Sequence, residues 1–268
     1  MSYKQHHFSE LEEEYYNYQL KMRKALSKEY SPIIEQQHKT FAGELKKIHD
    51  DGFVEVENNS PEYKEAFKKL QATVLSRYEN NTSRTLSEPL AIEGLFEFVK
   101  EHLVPFAQSH FECVPVISFA KVVKSYHKLQ ASDTQFFHRD PGSYKILKCV
   151  LYLTDVDENS GPFVYIKNSH KQKLHGISGR LRMRDEDITK PEMTSVITGP
   201  AGHMVFFDAM GIHKGQAPID NDRIALIINF CIHAEYGQKD DYPRISFDFT
   251  KGYTEHDLLL LDACVPVF

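Results

Sequence analysis

His138 and Asp140, two apart in the run Phe136-Phe137-His138-Arg139-Asp140, are the residues of this chain best suited by type and spacing to do chemistry. On an extended strand, side chains at i and i+2 leave from the same face, so this imidazole and carboxylate can share one metal ion. A third ligand must come from elsewhere. His213 in Met210-Gly211-Ile212-His213-Lys214-Gly215, just after the apolar run HMVFFD, is the best candidate. Two histidines and one carboxylate on a rigid sheet occupy one face of an octahedral ferrous ion and leave the opposite positions open for a bidentate keto acid and dioxygen. The pair alone is weak, because a chain with 14 histidines contains about one His-x-Asp by chance. Arg223, ten residues beyond His213 at the start of an apolar run, adds weight. A guanidinium there can grip the distal carboxylate of 2-oxoglutarate through two parallel charge-assisted hydrogen bonds. Taken singly it is equally a surface arginine capping a strand. The joint order in strand-rich sequence favours the site.

These side chains need a β scaffold. From about Val114 onward the runs VISFAKVVKSY, KILKCVLYLT, FVYIK, TSVIT, HMVFFD and IALIINFCI are short, β-branched and aromatic, with turn residues between them. That pattern predicts an antiparallel sandwich or barrel with helices gathered at one side or end. Helices come first in the chain. Ser9 followed by Glu12 predicts a capping box, after which Leu11, Tyr15, Tyr18, Met22 and Leu26 recur at helical spacing. This stripe is expected to pack on the body or on a partner subunit, the latter giving a homo-oligomer through the N-terminal helix. A helix from about Thr40 should hand over to a strand at Asp51-Gly52, where Phe53-Val54-Glu55-Val56 takes a period of two. Ser60 as N-cap and Pro61 at the first helical position open another helix, with Tyr63, Phe67, Leu70 and Val74 on its buried face. A further helical stretch through Leu95, Phe96, Val99 and Leu103 is expected to end near Pro105. The polar stretch His175 to Met193 reads as a mobile lid or, more commonly, a solvated loop.

Bulk properties narrow the function classes. The 268 residues, 41% of them hydrophobic, can bury one sizeable core. A net charge of -6 from 32 basic and 38 acidic residues calls for no nucleic-acid partner. No apolar run approaches the length of a membrane span and the N-terminus lacks the apolar core of a signal peptide, so no membrane partner and a cytoplasmic location are expected. Cys113, Cys149, Cys231 and Cys264 form no Cys-x-x-Cys pair and are expected to be reduced, mostly buried thiols. Neither a Gly-x-Ser-x-Gly elbow, a phosphate loop, a dinucleotide fingerprint nor a His-Glu-x-x-His motif occurs.

The chain resembles the phytanoyl-CoA dioxygenase family of Fe(II)/2-oxoglutarate-dependent oxygenases, which includes ectoine hydroxylase. The likeness starts near HKTFAGELKKIHDDGFVEVE and runs through FFHRD to about Phe230, covering most of residues 40 to 235. Its most specific part is Leu151 to Phe163 (LYLTDVDENSGPF), followed by Lys167-Asn168-Ser169-His170-Lys171 and then Gly199 to Asp208. The resemblance implies a mainly β double-stranded β-helix, or jelly roll, flanked by N-terminal helices. It implies Fe(II) on His138, Asp140 and His213 and the distal carboxylate of 2-oxoglutarate on Arg223, with dioxygen as the other substrate. Gln135 and Lys148 are further candidates for cosubstrate contacts. As one oxygenase domain the chain divides into an extra helix over 1–39, a helical flank with the first strand over 40–112, a jelly-roll core over 113–235 and a C-terminal extension over 236–268. Asn168 stands where the family usually has glycine and His203 where it has an acidic residue. The interval from His213 to Arg223 is about one residue shorter than is common, and Gly215 stands where a serine often helps to hold 2-oxoglutarate.

The expected activity is hydroxylation of a small molecule coupled to decarboxylation of 2-oxoglutarate to succinate. Related halogenases lack the carboxylate that Asp140 supplies and put chloride in its place, so its retention favours hydroxylation; desaturation and ring closure are other outcomes. Two rivals stand beside this reading. One is a cupin-like metal-binding isomerase or non-redox binding protein, which would have no need of Arg223. The other is an inactive oxygenase-like interaction module. Arg139, Lys145, Lys148 and Lys214, with Arg180, Arg182 and Arg184 of the polar stretch, suggest a carboxylate-bearing or otherwise anionic substrate, unless they simply lie on the solvent face.

Overall fold

The computed structural model describes residues 3–79, 81–86, 89–127, 131, 133–140, 145–171, 182–232 and 252–261. In chain order the elements are α1 (Tyr3–Leu26), α2 (Ser31–Thr40), α3 (Ala42–Asp51), β1 (Phe53–Val56), α4 (Pro61–Ser76), β2 (Thr85–Leu86), α5 (Leu95–His102), α6 (Val104–Phe111) and β3 (Val116–Ser125). They continue with β4 (Leu147–Tyr152), β5 (Phe163–Ile166), β6 (Thr194–Ile197), β7 (Met204–Asp208), β8 (His213–Gly215), β9 (Arg223–Cys231) and α7 (Glu255–Leu260).

Two antiparallel sheets face each other, as expected of a jelly roll. The larger has the order β1-β7-β4-β9-β3-β2 and the smaller β6-β5-β8. Strand alternation sorts their side chains into layers. From the large sheet Val150, Tyr152, Val205, Phe207 and Ala225 meet Phe163, Tyr165 and Ile197 of the small one in a core between the sheets. The opposite face of the large sheet, with Cys149, Leu151, Phe206, Leu226 and Ile228, packs on the helices in the main core. Val164 and Ile166 emerge from the far side of the small sheet and are covered by Phe137, Met183, Ile188, Met193 and Ile212. The small sheet is widened by two bridges, His138 beside His213 and Phe137 beside Met183.

The helix signals hold where local chemistry decides. Ser60 accepts the Tyr63 N–H at 3.1 Å and Tyr63, Phe67, Leu70 and Val74 are buried. Gly52 ends α3 in the left-handed region at φ 93° and hands over to β1. Two expectations fail and a third is narrowed. Ser9 lies inside α1, which begins at Tyr3, so there is no cap at that position. Of the two packings expected of the stripe, the body is not the one: Tyr15, Tyr18, Met22 and Leu26 are each about half exposed (55%, 59%, 45% and 50%), whereas Tyr16, Arg23 and Ser27 turn inward, which leaves the partner-subunit alternative. α1 is held by a polar anchor, since the buried Arg23 guanidinium donates to the carbonyls of Val114 (2.8 Å), Pro115 (3.3 Å) and Leu259. Finally, Pro105 opens α6 where it was expected to end a helix, because α5 has already stopped at His102 and proline is tolerated in a first turn.

Within 1–39, α2 adds a second helix to the one expected. Cys113, Cys149 and Cys231 are free and buried; Cys264 lies outside the described residues, as do Arg180, 175–181 of the polar stretch and most of 236–268. No helix among the described residues is long and apolar enough to cross a membrane.

Candidate metal centre

His138 and Asp140 leave an extended segment whose backbone is pinned on both sides. His138 N–H and C=O exchange hydrogen bonds with the C=O and N–H of His213, both at 2.9 Å, and Asp140 N–H donates to Ala209 O at 3.2 Å. The two histidines therefore face each other across a bridge, with ring centroids 4.4 Å apart, and the carboxylate comes to both. His213 Nε2 is 3.4 Å from Asp140 Oδ2 and His138 Nε2 is 3.7 Å from Oδ1. One ligand atom from each residue lies within 4.8 Å of the others.

Each imidazole is oriented by the same local contact. His138 Nδ1 donates to Phe136 O at 2.8 Å and His213 Nδ1 to Gly211 O at 2.9 Å, which leaves each Nε2 with its lone pair turned to the common point. Burial and the neighbouring His213 depress the His138 pKa to about 3, so its imidazole is neutral. Burial works against ionisation of Asp140, but the Lys148 ammonium and the two histidines outweigh it and hold the carboxyl well below the usual range. Lys148 Nζ is 2.6 Å from Asp140 Oδ2, yet that oxygen is buried with no aligned hydrogen-bond donor. Two imidazole Nε2 atoms with their lone pairs turned inward and an anionic oxygen short of a donor fit a divalent ion, and this donor set suits iron.

A polar strap behind the ligands explains their placement. The half-buried Arg139 points away from its neighbours and donates to Ser169 O at 2.8 Å and to Met210 O. Ser169 Oγ accepts the Ile212 N–H at 2.7 Å and donates to Ile166 O at 2.6 Å. The Asn-Ser-His segment thus joins the loop of Asp140 to the loop of His213. Asn168 has φ 62°, a left-handed conformation that asparagine tolerates and that glycine would adopt freely, so the departure from the family pattern leaves the turn intact. His203, the other departure, lies 2.9 Å from Glu55. Tyr165, fully buried, stacks on His213 (centroids 6.4 Å, planes 14°) and donates to Asp208 O at 3.0 Å. Its hydroxyl fits because Gly52 and Gly211 have no Cβ, which at either position would overlap it.

Arg223 is buried at the start of β9, and its guanidinium donates to Gly161 O and to Ser125 Oγ, the latter at 3.1 Å. The turn that carried the family resemblance therefore has a task. Asp157 Oδ1 accepts from Asn159 N–H and Ser160 Oγ, closing a turn that presents Gly161 O to Arg223. A Cβ on Gly215 would come within 2.9 Å of the guanidinium, while Ser125 on β3 places a hydroxyl on the same group. Sequence reasoning missed Ser125, because strand pairing alone brings it opposite Arg223. Gln135 is buried on a short turn packed against β8, and Lys148 lies against Asp140.

Known proteins resemble this chain in sequence and in fold. The chain is 27% identical over 107 residues to an ectoine dioxygenase of Stutzerimonas stutzeri, an alignment covering 33% of this chain and 35% of that relative, so the likeness spans about a third of the relative's length. Among solved structures it is similar to the epimerase SnoN in complex with Fe3+, alpha-ketoglutarate and nogalamycin RO (TM-score 0.54, 16% identity, 72% of this chain and 84% of that one). It is also similar to the alpha-ketoglutarate-dependent carbocyclase SnoK (TM-score 0.51, 15% identity, 70% and 82%). These two likenesses establish the fold. The phytanoyl-CoA dioxygenase family profile matches residues 32–220, more than half of the sequence and inclusive of all three candidate ligands, and the chain belongs to that family.

Proposed function

We propose that the protein is an Fe(II)- and 2-oxoglutarate-dependent dioxygenase that hydroxylates a small molecule while 2-oxoglutarate is decarboxylated to succinate. The observation that carries this reading is the convergence of His138, Asp140 and His213 on one point, with the buried guanidinium of Arg223 beside Gly215 on the His213 strand. Iron held there supplies dioxygen activation coupled to keto-acid decarboxylation. The chain's own residues do the rest. His138 and His213 turn their Nε2 lone pairs to the common point, and Asp140 adds one negative charge, balanced by Lys148. Arg223, preset by Gly161 O and Ser125 Oγ, takes the distal carboxylate of the cosubstrate in a desolvated pocket where a charged pair is strong. Gln135 and Lys148 are the remaining proposed cosubstrate contacts. Phe163, Tyr165 and Phe207 wall the His213 ring and keep water from that side.

The test is spectroscopic and chemical. Anaerobic addition of Fe(II) and 2-oxoglutarate should produce a visible metal-to-ligand charge-transfer band, and in air labelled 2-oxoglutarate should release carbon dioxide. Asp140→Ala should lower that release about a hundredfold or more. Release that survives this change sinks the assignment, and absence of the band in the wild type supports the cupin-like reading. Because the neighbours include an epimerase and a carbocyclase, product mass separates a second outcome. Gain of one oxygen marks hydroxylation, loss of two hydrogens ring closure or desaturation, and no change epimerisation.

A further inference from the structure

The body leaves open a face of α1 that has the composition of a buried surface. Tyr15, Tyr18, Met22 and Leu26 stand half-exposed along it, while Tyr16, Arg23 and Ser27 turn inward roughly a third of a turn round the helix. Tyr15, Tyr18 and Met22 complete one heptad, the repeat by which two helices pack along a seam, and Leu26 lies one turn on. A row of large apolar side chains on one helix face, unlike single scattered ones, marks a contact surface. α1 lies ahead of residues 32–220, the part that matches the family profile, so the iron site of the barrel does not account for this face. The helix is also firmly placed, since Arg23 ties it to the carbonyls of Val114, Pro115 and Leu259. A face held in one orientation pays less ordering entropy when it is covered.

Charge says what covers it. Glu14 and Lys21 are exposed on α1 beside the stripe, on the side farther from the body. They are seven residues apart, so they hold the same position of successive heptads with opposite charge. When two copies of one helix pack antiparallel about a two-fold axis, like flanks meet. Glu14 of each copy then comes beside Lys21 of the other, two ion pairs from one symmetry operation. In a parallel pair each flank meets the opposite flank, and a residue faces the one five further on. Glu14 would then meet Gln19 and Lys21 would meet Leu26, with no charge complement. An anionic membrane is the poorer fit, because the flank carries an acid as well as a base.

We propose that this face of α1 is a homodimer interface whose occupant is α1 of a second copy, running antiparallel, with Tyr18 and Met22 in the seam and Glu14 paired with Lys21 across it. Such a dimer stands or falls independently of the oxygenase chemistry.

The test is the mass of the full chain by sedimentation equilibrium over a wide range of concentration. A monomer to dimer equilibrium is expected, with a dissociation constant of about 1–100 μM for a contact of this modest size. Tyr18→Gln with Met22→Gln should weaken it about a hundredfold or more. Glu14→Lys and Lys21→Glu should each weaken it about fivefold to thirtyfold, since both symmetry-related pairs turn repulsive. The two exchanges combined in one chain should restore the wild-type constant. Unchanged circular dichroism and melting of the monomer show that each variant is folded. A chain that is monomeric at every concentration overturns the proposal. Flotation with anionic phospholipid vesicles would then give the face to a membrane, and dimerisation only after removal of residues 262–268 would give it to the chain's own end. A dimer unmoved by the double glutamine change lies on another surface and equally overturns it. Failure of the combined exchange to restore affinity overturns the antiparallel pairing.

Discussion

At the scale of single residues, the candidate metal centre is organised by backbone carbonyls two residues before each histidine. Those contacts set the tautomers, and burial keeps His138 neutral. This has a pH consequence for the metal-free protein. Below about 6.5, its ordinary pKa, His138 in the unfolded chain takes up a proton that the folded site refuses until about pH 3. The unfolded state then binds more protons, so stability should fall as pH drops through that window. Denaturant midpoints measured at pH 7, 5 and 4 should decline, with a shallower decline in His138→Gln; equal slopes would show that the imidazole is not held neutral. Arg139 is a positioning residue, since its guanidinium ties Ser169 to Met210. In Arg139→Met the affinity for Co(II), a spectroscopic substitute for iron, should fall about tenfold to a hundredfold, with Arg139→Lys intermediate. Unchanged affinity would show that these carbonyl contacts do not place the ligands.

At the scale of elements, the short strand β8 and its loop do what the longer strands cannot, delivering His213 to the mouth of the barrel opposite His138. The loop is built around one ring. Tyr165 rises from β5, stacks on His213 and lodges its hydroxyl where Gly52 and Gly211 leave room. Gly211→Ala should therefore cost about 1–3 kcal/mol through overpacking, read from the denaturant midpoint, and should weaken Co(II) binding. The same change in a Tyr165→Leu background should cost less, because the hydroxyl and the ring carbons it strikes are gone together. Strict additivity would place the clash elsewhere. Little of this was legible beforehand: the HMVFFD run predicted β7, but three residues of β8 carry no periodicity, and the bridges at 137–138 exist through pairing alone.

At the scale of the whole molecule, one buried cation joins the two ends of the described chain to the barrel. Arg23 of α1 donates to carbonyls at the start of β3 and at Leu259 of α7. Replacing it by methionine strands those acceptors and should destabilise the protein by about 2–4 kcal/mol, with proteolysis beginning in α1. A melting temperature unmoved by the change would show that α1 is held by its apolar contacts alone. The stripe of Tyr15, Tyr18, Met22 and Leu26 is not the face that the body covers, because helical periodicity reports a face without saying what it packs on. The inward face is marked by Tyr16 and Arg23, and an arginine gives no hydrophobic signal.

Local chemistry was enough for the sequence to determine much of this protein. The i and i+2 spacing of His138 and Asp140, the cap at Ser60, the left-handed Gly52 and six strand runs all depend on neighbours along the chain, and each appears in the structure. His213 and Arg223 were nominated by their order relative to those strands, and the structure brings His213 to His138 and Asp140. Decisions that rest on residues distant in sequence belonged to the tertiary structure alone. They include Ser125 on Arg223, Lys148 on Asp140, and Ser169 strapped to Arg139. Strand register and burial create these contacts, and a one-residue change of register would turn every one of these strand side chains to the other face.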